Sequence, residues 1–290
     1  MLNNTLKEKM AKRPVFGMTI YSNFPPVIEN LAYYGFDFAF IDAEHCPWEV
    51  TSLREAVLAA RFAGISPLVR VTKPDMIEIR KAFEMGAEGV IVPHVKTAED
   101  VKLCVKAGKF PPKGRRGFDM TVRSAHYGVG VNSADYIQHT FDTEMIIPMA
   151  EDFEFMDNIN EILAVEGVDA INFGPADYSM STNRPSGYDM KNSDTDEVLR
   201  SIVAAARPKG IGVMAPALPT NEETIKTLIS KGVNMLVCGS DIYHWQRSIE
   251  NVLKSGQTVL VQGATGGVST AAIALGRYDE AVERAEAFIQ

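Results

Sequence analysis

The sequence predicts an α/β fold, a (β/α)8 TIM barrel followed by a C-terminal extension. Three observations predict it. Short apolar runs rich in Val, Ile and Phe alternate with longer amphipathic stretches for most of the chain. Eight such runs lie between residues 14 and 254 with no linker between units. Several amphipathic stretches end in glycine, the usual left-handed stop of a helix. An open doubly wound sheet is the competing architecture; the count of eight and the lack of an early glycine-rich phosphate loop favour the barrel.

The strand-like runs are 15–20, 36–41, 67–71, 89–95, 145–149, 170–174, 212–215 and 235–238. Few polar residues interrupt them, as expected of parallel strands covered on both faces. Helical segments are expected at 48–63, 76–85, 97–109, 153–165, 197–206 and 221–230. In 97–109, Ala98, Val101, Cys104 and Val105 recur at helical spacing, and Thr97 with Asp100 forms a capping box. The connection 110–141 is long, and a second polar insertion, 179–195, follows the sixth strand. Connections of such length are uncommon unless functional.

The 290 residues are 46% hydrophobic and 23% charged, which excludes disorder and fibrous folds. Lys and Arg total 29 against 37 Asp and Glu, so the net charge is −8 and neither nucleic acid nor an anionic membrane is an expected partner. Cys46, Cys104 and Cys238 are widely spaced, which fits a reducing compartment rather than a structural zinc site. The polar start, without an apolar core, reads as no signal peptide, and no run is long enough to span a membrane. The expectation is a soluble, cytoplasmic protein.

Chemistry in a barrel gathers at the C-terminal ends of the strands. Those ends carry Asp42, Glu44 and His45 on strand 2, Arg70 on strand 3 and His94 on strand 4. Strand 5 adds Glu151 and Asp152, strand 6 the Gly174-Pro175-Ala176-Asp177 turn, and strand 8 Ser240 and Asp241. Glu151 and Asp177 suit a hard divalent cation, which prefers oxygen ligands. In the turn, Pro175 lacks an N–H, so the amides of Ala176 and Asp177 are the next donors for an anion. Bland readings stand beside these: His94 as a partly buried strand-end histidine, Arg70 as one half of a structural ion pair, Asp42 and Glu44 as hydrogen-bonding supports under loops. Cys46 beside His45 is not read as a thiol nucleophile, because sequence neighbours point differently. Lys73 and Lys96 lie beyond the strands, which argues against Schiff-base chemistry.

The segments IDAEHCPWE, PLVR, FEMGAEGVIVPHVKTAEDV, FPPKGRRG, PMAED and DAINFGPADYS, in this order, resemble the HpcH/HpaI aldolase family from about residue 14 to about 254. The resemblance implies a phosphoenolpyruvate/pyruvate-type barrel and a metal-dependent class II aldolase that splits a 4-hydroxy-2-oxoacid into pyruvate and an aldehyde. It implies that Glu151 and Asp177 ligate Mg²⁺, Mn²⁺ or Co²⁺, that Arg70 contacts the keto oxygen, and that His45 moves the proton. It implies further that the amides of Ala176 and Asp177 hold the substrate carboxylate. The family's aspartate partner of the histidine falls here at Glu84, one methylene longer, and Arg123 falls at an arginine the family often keeps near substrate. Phe118, Asp119 and Met120 stand where the family has small residues. The resemblance also implies a homo-oligomer, trimer or hexamer. Rival functions are a citrate-lyase-like or malyl-CoA-lyase-like enzyme acting on a CoA ester, and a catalytically silent binding barrel.

The domain reading is a barrel over 1–254 and a tail over 255–290. The tail contains VLVQGATGGVST, which looks like one strand–glycine turn–helix unit of a nucleotide-binding domain. One unit cannot make that domain, so the tail reads as an appended arm packing on the barrel or on a neighbouring subunit.

Overall fold

Eight parallel strands close on themselves in sequence order, β1 pairing with both β2 and β8. The computed structural model describes residues 5–184 and 192–254. The strands are β1 Val15–Ile20, β2 Phe38–Asp42, β3 Ser66–Arg70, β4 Gly89–Val92, β5 Met145–Ala150, β6 Ala170–Phe173, β7 Gly212–Pro216 and β8 Met235–Ser240. Each overlaps one of the apolar runs read from the sequence.

Period-two alternation decides what points inward. Phe38, Phe40 and Leu68 join the cluster inside the barrel, with Ile91, Ile147 and Met149. Ala39, Ile41 and Val69 face the helices and join the outer core. Fully burying one such Val, Leu or Ile contributes about 1.5–3 kcal/mol. The same alternation turns Asp42 and Arg70 inward, and the β2–β3 register places them side by side. At the bottom of the barrel Gly17 permits a close approach, since a Cβ there would lie 2.1 Å from the Phe38 ring.

The helices are α1 Leu6–Lys12, α2 Pro25–Tyr33, α3 Val50–Ala63, α4 Met76–Met85, α5 Ala98–Gly108 and α6 Ser133–Thr143. They continue with α7 Phe153–Asp157, α8 Ile159–Ile162, α9 Pro175–Ser181, α10 Ser193–Ala206, α11 Glu222–Ser230 and α12 Asp241–Lys254. The capping box of α5 is formed: the Thr97 hydroxyl accepts from the Asp100 amide while the Asp100 carboxylate accepts from the Thr97 amide. Helix α4 starts at Asp75, whose carboxylate accepts from the amides of Ile77 and Glu78, and stops at Gly86 with φ +107°.

Two segments depart from the sequence reading. The helix expected over 153–165 breaks at Asn158, whose φ of −104° and ψ of 9° separate α7 from α8. The connection 110–141 holds a 3-10 segment, Arg123–Gly128, and most of α6. Its polar run SADYIQHTFDT hides a narrow inner face of Tyr136, Thr140 and Thr143, and Tyr136 packs with Phe110 and Ala125 in a small core of its own.

The chain divides into two compact units, 1–244 and 245–290. The barrel and every site considered below lie in the first. Of the second, residues 245–254 are described and helical; the tail reading over 255–290 lies outside the described residues. Among the described residues no helix is long and apolar enough to cross a membrane.

Candidate active site

Asp42 is fully buried at the end of β2 and meets Arg70 two-on-two: Nε donates to Oδ1 at 2.8 Å, and Nη2 donates to Oδ2. Oδ1 also accepts from the amides of Glu44 and His45, at 3.0 and 3.3 Å, so one carboxylate fixes the guanidinium and the turn carrying the histidine. The third nitrogen of Arg70, Nη1, lies 2.9 Å from Glu44 Oε2. Burial alone would lower the arginine pKa, but the hydrogen bonds and charges of Asp42 and Glu44 outweigh it and raise it. Arg70 is therefore a permanent, immobile cation at the mouth of the barrel.

Glu44 is the hub of this rim. Its Oε1 lies 3.1 Å from His94 Nε2, and its Oε2 lies 3.7 Å from His45 Nε2. His45 is 57% exposed, open to solvent. Across the mouth, Glu151 is only 2% exposed and accepts from the His94 amide at 2.7 Å. His94 reaches this position with a left-handed backbone, φ +54°. Its ring Nδ1 stands 3.6 Å from both Glu151 and Asp152.

Burial raises the Glu151 pKa to about 7; the charges of Glu44 and Asp177 push the same way, and the His94 amide and ring oppose them. Such a carboxylate calls for a cation. The residues present fit a divalent ion. His94, Glu151 and Asp152 offer donor atoms within 4.8 Å of one another, and Asp152 Oδ2 is buried without a hydrogen-bond partner. Gly174 leaves the space Glu151 occupies: a Cβ there would fall 2.9 Å from the Glu151 Cβ and 3.1 Å from Oε2. Asp177 sits exposed in the first turn of α9, with Pro175 leading the helix. A cavity of about 70 Å³ joins Arg70, Gly174, Ala176 and Asp177, with Thr19 and Asn172 also in its wall.

Two expected residues lie elsewhere. Helix α4 runs antiparallel to the strands, so Glu84, in its last turn, sits toward their N-terminal ends, where it pairs with Arg80 at 3.6 Å. Among the described residues of this chain, the carboxylate beside His45 is Glu44, at 3.7 Å. Arg123 lines a cavity with Arg61, Gly86 and Glu144, again at the N-terminal end of the barrel. Asp241 serves structure: it accepts from the Tyr21 and Ser22 amides and so ties the loop after β1 to the end of β8.

Sequence reading treated His94 as a bland strand end and passed over Thr19 and Asn172. Asn172 had a signal: it is a polar residue two places before Gly174 in an apolar strand, on the inward alternation. Nothing activates the thiols: burial first, then Asp42 and Asp241, raise Cys46, and burial takes Cys104 to about 12 and Cys238 to about 11. Lys96 is bound up with Asp152 and Glu154 at 3.4 and 3.2 Å. Burial lowers the pKa of Lys109, but this lysine donates to the Glu144 carbonyl at the opposite end of the barrel. Schiff-base chemistry has no lysine at the mouth with the required environment among the described residues.

Fold and rim together define a barrel enzyme whose site pairs a fixed arginine with a carboxylate cluster suited to a divalent cation. The chain belongs to the HpcH/HpaI aldolase/citrate lyase family, which matches residues 16–248, and it is a carbon–carbon lyase of the aldolase type. It is 31% identical over 229 residues to a 2-dehydro-3,6-dideoxy-6-sulfogluconate aldolase of Pseudomonas putida, covering 78% of this chain and 86% of that one. It is 28% identical over 264 residues to the 2-keto-3-deoxy-L-rhamnonate aldolase of Escherichia coli K12, covering 89% and 96%. The crystal structure of an HpcH/HpaI aldolase from Desulfitobacterium hafniense DCB-2 superposes with a TM-score of 0.81 at 26% identity, over 90% of this chain and all of that one.

Proposed function

We propose that the protein is a divalent-metal-dependent aldolase that cleaves a 4-hydroxy-2-oxoacid to pyruvate and an aldehyde, reversibly. The observation that carries this reading is the Arg70 guanidinium, held by Asp42 and Glu44 and bordering the same cavity as Ala176 and Asp177. Glu151 and Asp177 would hold the ion, Mg²⁺, Mn²⁺ or Co²⁺. Bound there, it supplies Lewis acidity toward the substrate's C1 carboxylate and C2 keto oxygens, worth several kcal/mol at the transition state.

The chain's own groups do the rest. The amides of Ala176 and Asp177, in a helical first turn where no intrahelical acceptor exists, hold the substrate carboxylate. His45 takes the proton of the 4-hydroxyl, directly or through one water, as the C3–C4 bond breaks and the aldehyde leaves. The electron pair moves onto the C2 oxygen, and Arg70 stabilises that charge without reorienting, because Asp42 already fixes it. The protonated His45 then returns a proton to C3, directly or through water, which gives pyruvate and restores the neutral ring. Glu44 stands nearest His45 and is the group placed to stabilise its protonated ring.

The decisive experiment strips the enzyme of metal and measures pyruvate release from a panel of 4-hydroxy-2-oxoacids with Mg²⁺, Mn²⁺ or Co²⁺ restored. Release only from CoA thioesters would move the chain to the citrate-lyase side of its family. The proposal includes a cytoplasmic homo-oligomer, trimer or hexamer. Exposed Phe62, Tyr33 and Tyr34 on α2 and α3 support it, being 80% or more accessible in the single chain. Light scattering tests it.

A further inference from the structure

A second cavity, about 230 Å³, opens at the N-terminal ends of the strands, away from the mouth that carries Arg70 and Glu151. Its wall comes from the ends of α3 and α4, the 3-10 segment and α6. It is ample for a polyatomic guest, since about 10–15 Å³ already admits one water.

The charges around it are unevenly matched. Arg61 donates to the Gly86 carbonyl at 2.6 Å and to Glu88 at 3.1 Å. Glu144, fully enclosed, is met by Arg116 at 2.6 Å. Each carboxylate in the wall thus has its own cation. Among the described residues Arg123 meets no carboxylate: its guanidinium rests over the Phe62 ring, 5.8 Å from the centroid, and crowds Gly86, where a Cβ would lie 2.7 Å from Nη1. Burial, with the charges of Arg61 and Arg54, lowers its pKa against the opposing pull of Tyr127. Burial and nearby arginines likewise lower the pKa of His126 and His139, which also stand in the cavity wall.

We propose that this cavity is a binding site for a small oxyanion, a phosphate or carboxylate group, received on Arg123. A planar guanidinium that meets no carboxylate among the described residues presents two parallel N–H donors, the geometry that carboxylate and phosphate oxygens accept. Ser124, next in the chain, adds a hydroxyl shared at 2.8 Å with Tyr136. The site is independent of the aldolase reading, because none of these groups reaches the catalytic rim.

Calorimetric titration of the full chain with inorganic phosphate, at constant ionic strength, tests it. One saturable phosphate per chain is expected. R123Q, shown folded by circular dichroism, should weaken binding at least tenfold, and Ser124→Asp, which sets a competing carboxylate beside Arg123, should do the same. Arg70→Ala should leave binding unchanged. The proposal falls if no saturable binding is seen, if Ser124→Asp and R123Q bind like the parent, or if Arg70→Ala also loses the phosphate, which would place the anion at the catalytic mouth.

Discussion

The main-chain N–H of His94 donates to Glu151 Oε1 at 2.7 Å, and it does so from a left-handed backbone with φ +54°. A non-glycine residue there costs of order 1–3 kcal/mol, which the surroundings must offset. His94→Gly relieves that cost and keeps the amide, whereas His94→Val adds β-branching where it fits worst. Urea unfolding should find His94→Val less stable than His94→Gly by about 1–3 kcal/mol. Equal midpoints would show that the backbone strain has no energetic weight.

If Glu151 holds the metal as proposed, it ties metal binding to pH. Its pKa of about 7 lies above the ordinary carboxylate value, so the folded protein holds this proton more tightly than the unfolded chain does. The stability it contributes without metal is therefore full below about pH 4.5 and declines as pH rises toward 7. Metal affinity moves the other way, because a proton competes for the same oxygens, and should strengthen from pH 6 to pH 8. Glu151→Gln should flatten the stability trend and abolish Mn²⁺ binding in calorimetry while the barrel stays folded. Asp177→Ala should also remove metal-dependent pyruvate release.

Removing Arg70 has two separable effects. Arg70→Ala leaves Asp42 buried and unpaired, at a cost of about 3–5 kcal/mol. It should also lower turnover by at least about 10²-fold, by comparison with deleting one oxyanion donor. The double variant Arg70→Ala/Asp42→Asn should regain much of the stability and none of the turnover. Recovery of both would make Arg70 a structural residue only.

Gly174 tests the space around Glu151 without touching any charge. Gly174→Ala drives a methyl against Glu151 and Met149. Metal affinity should fall at least tenfold with little change in far-UV circular dichroism; unchanged affinity would show that the carboxylate has room to move.

Periodicity made the barrel legible. Alternation in 36–41 and 67–71 already encodes which residues enter the interior, and Thr97 and Gly86 mark helix ends by local chemistry alone. The rim residues Asp42, Arg70 and Glu151 followed, because a strand's direction tells which end is the mouth. Glu84 and Arg123 did not follow from the same logic. A 3.6-residue repeat reports the face a helical residue takes, not the end of the barrel it approaches, and α4 returns antiparallel to the strands. Resemblance supplied those two roles with no knowledge of that geometry. His94 was placed at the end of strand 4 but given a bland reading: part of what it contributes is a main-chain N–H to Glu151, and no side-chain reading detects one.

The rim's components are unequally distributed along the chain. Asp42, Glu44 and Arg70 come from β2 and β3, Glu151 and Asp177 from β5 and the start of α9, and His94 stands between the two sets just after β4. The first half-barrel thus carries the arginine and the carboxylates that hold it, and the second carries the carboxylates proposed to hold the metal. Neither half is a miniature enzyme. A chain severed in the 110–141 connection would yield two fragments of complementary chemistry, and recovered turnover on mixing them would report the docking of one half-barrel onto the other.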